Sequence, residues 1–296
     1  LTSDENSQQV ELTSKSGTYQ VRGMIADDFP DLPLVESGTS LKLNPLLLSS
    51  AIKSTLFASS TDDAKQLLTG VNLTFDGYGI ESAATDGHRL AIQNLNNILS
   101  DRNDKNSSNG IDKFSITLPS KSLREVEKFL STCDISQPIN FFIDKGQVVF
   151  ISLDEIITIR ALDGNYPNYS QLLPEKFSNV LEFDRKDFIS SLERIGVLAD
   201  QHNNVIKITT DSSANLIKIT TDAQDIGTGS ESLPCSFKGE PFQIAFNVRY
   251  LLDGLKVIDS NIIKLSCNAP TTPAVFSPVN SDINFTYLVM PIQIRN

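Results

Sequence analysis

Two kinds of residue in this sequence could do chemistry: a carboxylate beside a histidine, and cations at regular spacing. Asp86 and His88 stand two positions apart and could act as an acid–base pair, with His202 as a second histidine. No nucleophile, glycine-rich phosphate loop or cluster of metal ligands accompanies them. Because a lone histidine after a turn glycine is more often structural, the sequence predicts no catalytic residue, no cofactor and no metal.

The cations repeat at helical spacing. On a predicted helix over 119–132, a basic set and an apolar set of residues occupy different faces, each following the helical repeat. The basic set is Lys121, Arg124 and Lys128, and the apolar set is Leu123, Val126 and Leu130. Three further predicted helices carry the cations Lys53, Lys186, Arg194, Arg249 and Lys256.

These cations predict a shared surface. The four predicted helices hold nine basic and six acidic residues, a charge of +3 in a chain whose net charge is −11. A single basic stripe is more often an ordinary solvated helix face. Its recurrence on corresponding helices favours one basic surface within an acidic body. Without aromatic platforms or base-reading clusters, that surface would bind phosphates in a sequence-independent way.

The segments that position these residues occur twice in the chain. Equal order with a drifting offset is typical of duplicated domains that differ by loop insertions. The matched pairs are Leu43–Lys53 with Phe183–Glu193 at an offset of 140, the Thr-Asp strand ends at Asp86 and Asp222 at 136, and the helix starts at Leu118 and Phe246 at 128.

Each copy is predicted to contain a strand, a helix and three strands, followed by the same series again. The alternation of apolar and polar residues is that of half-buried antiparallel strands, so the predicted fold class is α+β. The first copy has predicted strands at 39–43, 71–76, 79–84, 90–95, 114–118, 139–143, 147–151 and 156–161, with a polar loop at 101–110. Helices are predicted at 44–58, 119–132, 185–200 and 247–258, and Pro119 would open the first turn of the second.

Residues 1–38 are predicted to be a remnant of a further copy. Two strands near Val10 and Tyr19 precede Asp28-Phe-Pro, which matches Asn165-Tyr-Pro at an offset of 137. The predicted domains are therefore 1–38, 39–178 and 179–296. By the same repeat period, about 99 residues of that further copy would be missing.

Composition narrows the class of protein. No apolar run is long enough to span a bilayer, and no secretory segment opens the chain, which predicts a cytoplasmic protein without membrane contact. Cys133, Cys235 and Cys267 lie far apart without metal-ligand spacing, as expected of reduced thiols. The net charge of −11 argues against a protein coated in nucleic acid, although a basic surface could lie within an acidic body.

Four segments, in order, resemble the bacterial beta sliding clamp, the DNA polymerase III beta subunit. They are Ala84–Ala91, Leu162–Tyr169, Phe246–Asp253 and Tyr287–Ile292. The resemblance implies a DNA clamp fold with two inner helices per domain and outer antiparallel sheets. In the full-length family it implies a head-to-tail homodimeric ring around DNA, with Val197 and Leu198 at the subunit interface. Implied partners are duplex DNA, DNA polymerase subunits, the clamp loader and other clamp-binding proteins.

The resemblance also implies a peptide pocket between the two full copies, where client proteins dock. An apolar cleft with a few polar anchors suits such a groove, and the flexible thioether of Met290 suits several partners. Its residues would be Leu68, Thr85, Gly87, His88, Arg89, Leu90, Pro167, Leu172, Leu288, Met290, Pro291 and Ile292. The chain departs from the family at Gln171 and Gln293, where arginine is frequent, and ends in Ile294-Arg-Asn296.

A purely structural repeat protein would need neither the basic stripes nor an exposed apolar C-terminus. Two further alternatives to a ring-forming clamp remain. One is a truncated clamp paralogue that binds client peptides without closing a ring. The other is an enzyme that uses Asp86 and His88, and loss of a hydrolytic activity on replacing His88 would favour it.

Overall fold

The computed structural model of the chain describes residues 2–4, 8–29, 38–77, 79–96, 113–153, 155–199, 204–211, 215–223, 225–281 and 283–293. The chain divides into two units, Leu1–Glu36 and Ser37–Asn296. Four sequence features lie outside the described residues, namely Pro30, the loop at 101–110, His202 and the ending 294–296.

The first unit is a three-stranded antiparallel sheet, of which the sequence predicted the last two strands. The strands are β1 (Thr2–Asp4), β2 (Gln9–Ser14) and β3 (Gly17–Arg22), in that order. Cross-strand pairing of Leu12 with Tyr19 and of Val10 with Val21 places four apolar residues on one face. Tyr19 is 60% exposed and Val21 53% exposed.

The second unit contains both full copies of the repeat. The first copy consists of β4 (Thr39–Leu43), α1 (Pro45–Leu56), β5 (Gly70–Phe75), β6 (Gly79–Thr85), β7 (Arg89–Asn96), β8 (Phe114–Pro119), α2 (Ser120–Thr132), β9 (Ile139–Asp144), β10 (Gln147–Ser152) and β11 (Glu155–Arg160). The second copy consists of β12 (Asn179–Asp184), α3 (Arg185–Val197), β13 (Val205–Asp211), β14 (Leu216–Ala223), β15 (Gly227–Pro234), β16 (Ser236–Lys238), β17 (Gln243–Asn247), α4 (Val248–Val257), β18 (Ile262–Cys267), β19 (Ala274–Pro278) and β20 (Asn284–Val289).

Local chemistry explains where most helices begin. The Asn44 side chain accepts hydrogen bonds from the backbone amides of Leu46 and Leu47 at the start of α1, and Asn247 caps α4 in the same way. Asp184 caps α3. The prediction that Pro119 opens the first turn of α2 was wrong by one position. Pro119 is the last residue of β8, and its extended ψ of 133° makes it the N-cap.

The two copies share one sheet. Its nine strands run in the order β16-β12-β18-β19-β20-β7-β6-β5-β8, and β20 of the second copy pairs antiparallel with β7 of the first. Two four-stranded sheets, β11-β10-β9-β4 and β15-β14-β13-β17, complete the copies. Alternate residues of these strands bury an apolar core against the helices, and α1, for instance, inserts fully buried Leu48 and Ile52.

The helices form a continuous layer over the sheets. In each copy the two helices contact each other, α1 with α2 and α3 with α4, and α1 also contacts α4. The order across the layer is therefore α2-α1-α4-α3. This arrangement brings all four predicted basic helices together, although α3 ends at Val197 and not at 200 as predicted.

The repeat is visible in contacts as well as in order. The Gln93 side chain on β7 donates a hydrogen bond to the Ser50 hydroxyl on α1. In the second copy, the Glu231 carboxylate on β15 accepts a hydrogen bond from the Ser191 hydroxyl on α3. The proposed match of Thr85 with Thr221, however, is out of register. Thr221 lies on the face of β14 that points into the core. Thr85 lies on the same face of β6 as Ala83, and that face is turned away from the core.

Candidate functional site

The C-terminal segment closes the junction between the copies. Leu288 on β20 pairs with Leu90 on β7. Beyond β20, the Met290 amide donates to the His88 carbonyl at 2.8 Å, and the Ile292 amide donates to the Ala245 carbonyl at 2.8 Å. The hydrogen bond of Met290 thereby fixes this segment to the first copy, and the hydrogen bond of Ile292 fixes it to the second copy.

An apolar cluster lies on the face of the nine-stranded sheet opposite the helices. Leu90 and Leu288 are its central members, at 1% and 2% exposure. The cluster also contains Ala83, Ile92 and Val275, and the segment that connects the copies covers it with Tyr169, Leu173 and Phe177. Leu172 and Met290, at 50% and 38% exposure, offer apolar surface beside it. Among the predicted pocket residues, Leu90 and Leu288 are thus buried, whereas Leu172 and Met290 are exposed.

A tight turn connects β6 to β7. Asp86 Oδ1 accepts the backbone amides of His88 at 2.8 Å and Arg89 at 3.1 Å. Gly87 has a φ of 94°, which favours glycine. The Thr85 hydroxyl accepts the Gly87 amide and donates to the Arg89 carbonyl. The Asp86 carboxylate therefore holds the turn, and this structural use weakens the alternative in which Asp86 and His88 act as an acid–base pair.

The Arg89 side chain makes three hydrogen bonds at the junction between the copies. Its Nε donates to Asp86 Oδ2 at 3.0 Å, Nη1 to Asp253 Oδ2 at 2.6 Å, and Nη2 to the Phe57 carbonyl at 2.9 Å. Its guanidinium carbon lies 4.6 Å from the Tyr250 ring centroid. Burial alone would lower the pKa of Arg89, but the Tyr287 oxygen and the two carboxylates outweigh burial and raise the pKa. Each of the three guanidinium nitrogens of Arg89 therefore already donates one hydrogen bond within the chain.

Two tyrosines anchor the connecting segment, and the sequence-based prediction missed both. The Tyr166 hydroxyl accepts the Thr85 amide at 3.0 Å, and burial raises the pKa of Tyr166 to about 12. The Tyr169 hydroxyl donates to Glu81 Oε1 at 2.6 Å, and burial followed by this carboxylate raises the pKa of Tyr169. The sequence offered one sign of them, because both tyrosines lie close to Pro167, a predicted pocket residue, one before it and one after it.

The remaining predicted pocket residues lie around this junction. Leu68 belongs to the 3₁₀ segment Asp63–Thr69, whose Lys65 ammonium reaches the Asp86 carbonyl at 3.4 Å. Pro291 and Ile292 are half-buried in the C-terminal segment, and Pro167 is exposed. A cleft of about 1050 Å³ lies between the connecting segment and the sheets, and Pro167 is the one predicted pocket residue that lines it.

All eight predicted DNA-facing cations are exposed. Three of them form ion pairs: Lys128 with Glu125, Arg194 with Glu231, and Lys256 with Glu193. In the part of the chain that the structure describes, no carboxylate lies within 4 Å of the other five, which are Lys53, Lys121, Arg124, Lys186 and Arg249. The helix layer therefore presents cations of two kinds, paired and free.

The predicted interface pair is divided between surface and interior. Val197, the last residue of α3, is 76% exposed. Leu198 is half-buried, and its side chain lies against Gly229 on β15. Val197 is therefore the member that is free to contact another subunit.

The described ranges contain neither a metal site nor a membrane-spanning helix. No group of three or more His, Cys, Asp or Glu residues there could hold a metal ion. No helix within those ranges is both long and apolar enough to cross a membrane.

Comparison with known proteins gives the same picture. The family model for the central domain of the DNA polymerase III beta subunit matches residues 42–168, and the model for its C-terminal domain matches residues 170–293. The chain is 43% identical to the beta sliding clamp of Synechococcus elongatus, over all of this chain and 76% of that relative. It is 41% identical to the beta sliding clamp of Synechocystis sp., over 96% of this chain and 73% of that relative.

Solved structures agree. The crystal structure of the DNA polymerase sliding clamp from Bacillus subtilis matches with a TM-score of 0.87 at 28% identity, over 98% of this chain and 74% of that one. The helix layer, the antiparallel sheets and the sheet shared between copies define a DNA sliding clamp. The chain belongs to the DNA polymerase III beta subunit family, the beta sliding clamps. It is a processivity factor of DNA replication.

Proposed function

We propose that this clamp encircles duplex DNA with its helix layer facing the duplex and acts without catalysis of its own. The observation that carries the proposal is the continuous layer α2-α1-α4-α3 with eight exposed cations in a chain of net charge −11. A basic inner surface on an acidic body attracts phosphates to one side only. Because the relatives named above are bacterial, we propose that it acts in the cytoplasm.

Ring retention tests this proposal. The protein with its first domain complete, loaded on circular plasmid by a clamp loader, should stay bound through gel filtration and leave once the plasmid is linearised. Equal retention on circular and linear DNA would contradict encirclement. The alternative of a paralogue that binds peptides without forming a ring is not favoured, since both relatives named above are beta sliding clamps.

We further propose that the junction between the copies binds an extended peptide of client proteins, among them DNA polymerase subunits and the clamp loader. The buried Leu90–Leu288 floor and the open side chains of Leu172 and Met290 support an apolar docking cleft. A peptide with glutamine followed by closely spaced leucine and phenylalanine should bind with roughly micromolar affinity, about −8 kcal/mol. No anisotropy change with labelled peptide at high chain concentration would contradict the pocket.

The division into domains 1–38, 39–178 and 179–296 remains our proposal. It is supported by β4 and β12 beginning the two copies at Thr39 and Asn179. We also propose that Val197 lies at the contact between subunits of a head-to-tail homodimer. Its 76% exposure at the end of α3 supports that position. Analytical ultracentrifugation of Val197→Asp beside the unmodified chain would test it.

A further inference from the structure

Arg89 is held by residues from both copies at once. Asp86 and the Phe57 carbonyl belong to the first copy, while Asp253 and Tyr250 lie on α4 of the second. The Arg89 side chain is only 10% exposed, so its charge has left water and depends on these partners. Among these four partners, Asp253 is the charged group that comes from the other copy.

The backbone beside Arg89 forms part of the proposed pocket. Arg89 pairs with Val289 across β7 and β20, and the neighbouring His88 carbonyl accepts the Met290 amide. The His88 ring stacks on the Tyr250 ring, with their centroids 6.3 Å apart. Tyr250 lies one helical turn before Asp253 on α4. The ion pair therefore joins α4 to the strand end that carries His88, Leu90 and Met290.

Asp253 itself is poorly placed for a packing role. Its side chain is 47% exposed, and Arg89 Nη1 is its hydrogen-bond donor at 2.6 Å. Replacing this carboxylate removes little buried surface, yet it leaves a buried cation with one partner fewer. Replacing Asp253 should therefore shift the Arg89 side chain and leave the packing of the core unchanged.

We propose that Asp253 is a positioning residue for the peptide pocket, which it serves by holding Arg89 between the two copies. The inference rests on the proposed peptide-binding function. With the pair intact, the His88–Leu90 strand end and the Met290 segment keep one geometry relative to α4 before a peptide arrives. Preorganisation of this kind raises affinity because less ordering remains to be done on binding.

A double-mutant cycle tests the inference. Asp253→Asn should weaken binding of the glutamine–leucine–phenylalanine peptide about tenfold, measured by fluorescence anisotropy. In an Arg89→Lys background, the same replacement should have little further effect, because both changes break one interaction. Asp253→Glu, which keeps the charge, should recover part of the affinity. Asp259→Asn, an exposed carboxylate just beyond α4, is the matched control and should bind as the unmodified chain does.

The outcomes separate the inference from the function beneath it. Unchanged affinity in Asp253→Asn, with peptide binding by the unmodified chain, overturns the inference alone. Additive losses in the cycle also overturn it, since Asp253 would then act independently of Arg89. Absence of peptide binding by the unmodified chain overturns the proposed pocket and this inference with it. Melting curves identify any variant unfolded at the assay temperature, and Asp253→Glu then supplies the comparison.

Discussion

The Glu231 carboxylate on β15 accepts two hydrogen bonds from the Arg194 guanidinium on α3. Arg194 Nε donates to Oε1 at 2.8 Å, and Arg194 Nη2 donates to Oε2 at 2.7 Å. The Ser191 hydroxyl donates a third hydrogen bond to the same carboxylate. The donors of Arg194, followed by that of Ser191, lower the pKa of Glu231 to about 2. An exposed arginine on the helix layer is thus neutralised by the sheet beneath it. This distinguishes it from the five predicted DNA-facing cations that have no carboxylate within 4 Å among the described residues.

DNA binding should follow this distinction. Removing one cation that neutralises a phosphate reduces the salt dependence of binding by about one ion. Arg124→Ala should lower the slope of log affinity against log salt by about one, whereas Arg194→Ala should lower it by clearly less. Anisotropy with a labelled duplex across a salt series gives both slopes. Equal slopes for the two variants would mean that the Glu231 pair opens on DNA.

Acid should remove the contribution of Glu231 to stability. Its pKa is lowered from an unfolded value of about 4.3, so the contribution is complete above that pH and is lost as pH falls towards about 2. Glu231→Gln should therefore be less stable than the unmodified chain near neutral pH, and the difference should shrink in acid. Urea unfolding at several pH values measures it, and a constant difference would contradict the assignment.

Gly254 on α4 should tolerate no side chain. A Cβ there would overlap the ring of Tyr287, which is fully buried and donates to the Tyr250 carbonyl at 2.6 Å. Gly254→Ala should cost about 1–3 kcal/mol of unfolding free energy through overpacking. Gly196→Ala is the control, because its Cβ would make ordinary 3.4 Å contact with Val248 and gain helix propensity. Equal stabilities of the two variants would show that Tyr287 can move.

Met290 should matter more for peptide affinity than for folding. Met290→Ala should cost about 1–3 kcal/mol of binding, as expected of an interface anchor, with a small shift in melting temperature. Removing all residues after Val289 should abolish binding, since it also removes the hydrogen bond to the His88 carbonyl. Leu153, 78% exposed on the turn after β10, is a suitable control for loss of exposed apolar surface. Full affinity in the shortened chain would exclude this segment as a pocket wall.

The three thiols should differ in reactivity. Burial raises the pKa of Cys267 to about 11 and raises the pKa of Cys235, so both hold little of the reactive thiolate at neutral pH. Cys133 is only partly buried. Iodoacetamide should therefore modify Cys133 first in the native chain, as peptide mass mapping would show. Early labelling of Cys267 would mean that β18 opens readily.

The sequence was a good guide to elements with a strong local pattern. Alternation located β4 at Thr39–Leu43 without error and the other strands of the first copy within a residue or two at either end. Pro119 was misplaced because both a strand end and a first helical turn accept its φ of −57°. Only the sheet register resolved which of them it occupies.

The site was less predictable wherever partners are distant along the chain. The motif around Arg89 was visible, but the Arg89 side chain is held by Asp253 and by the Phe57 carbonyl, which no local spacing connects. The same holds for Arg194, whose neutralisation by Glu231 required the fold. Cations could be assigned to a helix face from spacing, but their pairing could not.

The pairing of β20 with β7 has a consequence for synthesis on the ribosome. Until the residues around Leu288 emerge, Leu90 and the rest of β7 have no neighbour on that side, and an apolar strand edge stays open. The first copy therefore cannot complete its sheet while the second is still being translated. Such long-range closure is slow and leaves nascent chains prone to pair with one another.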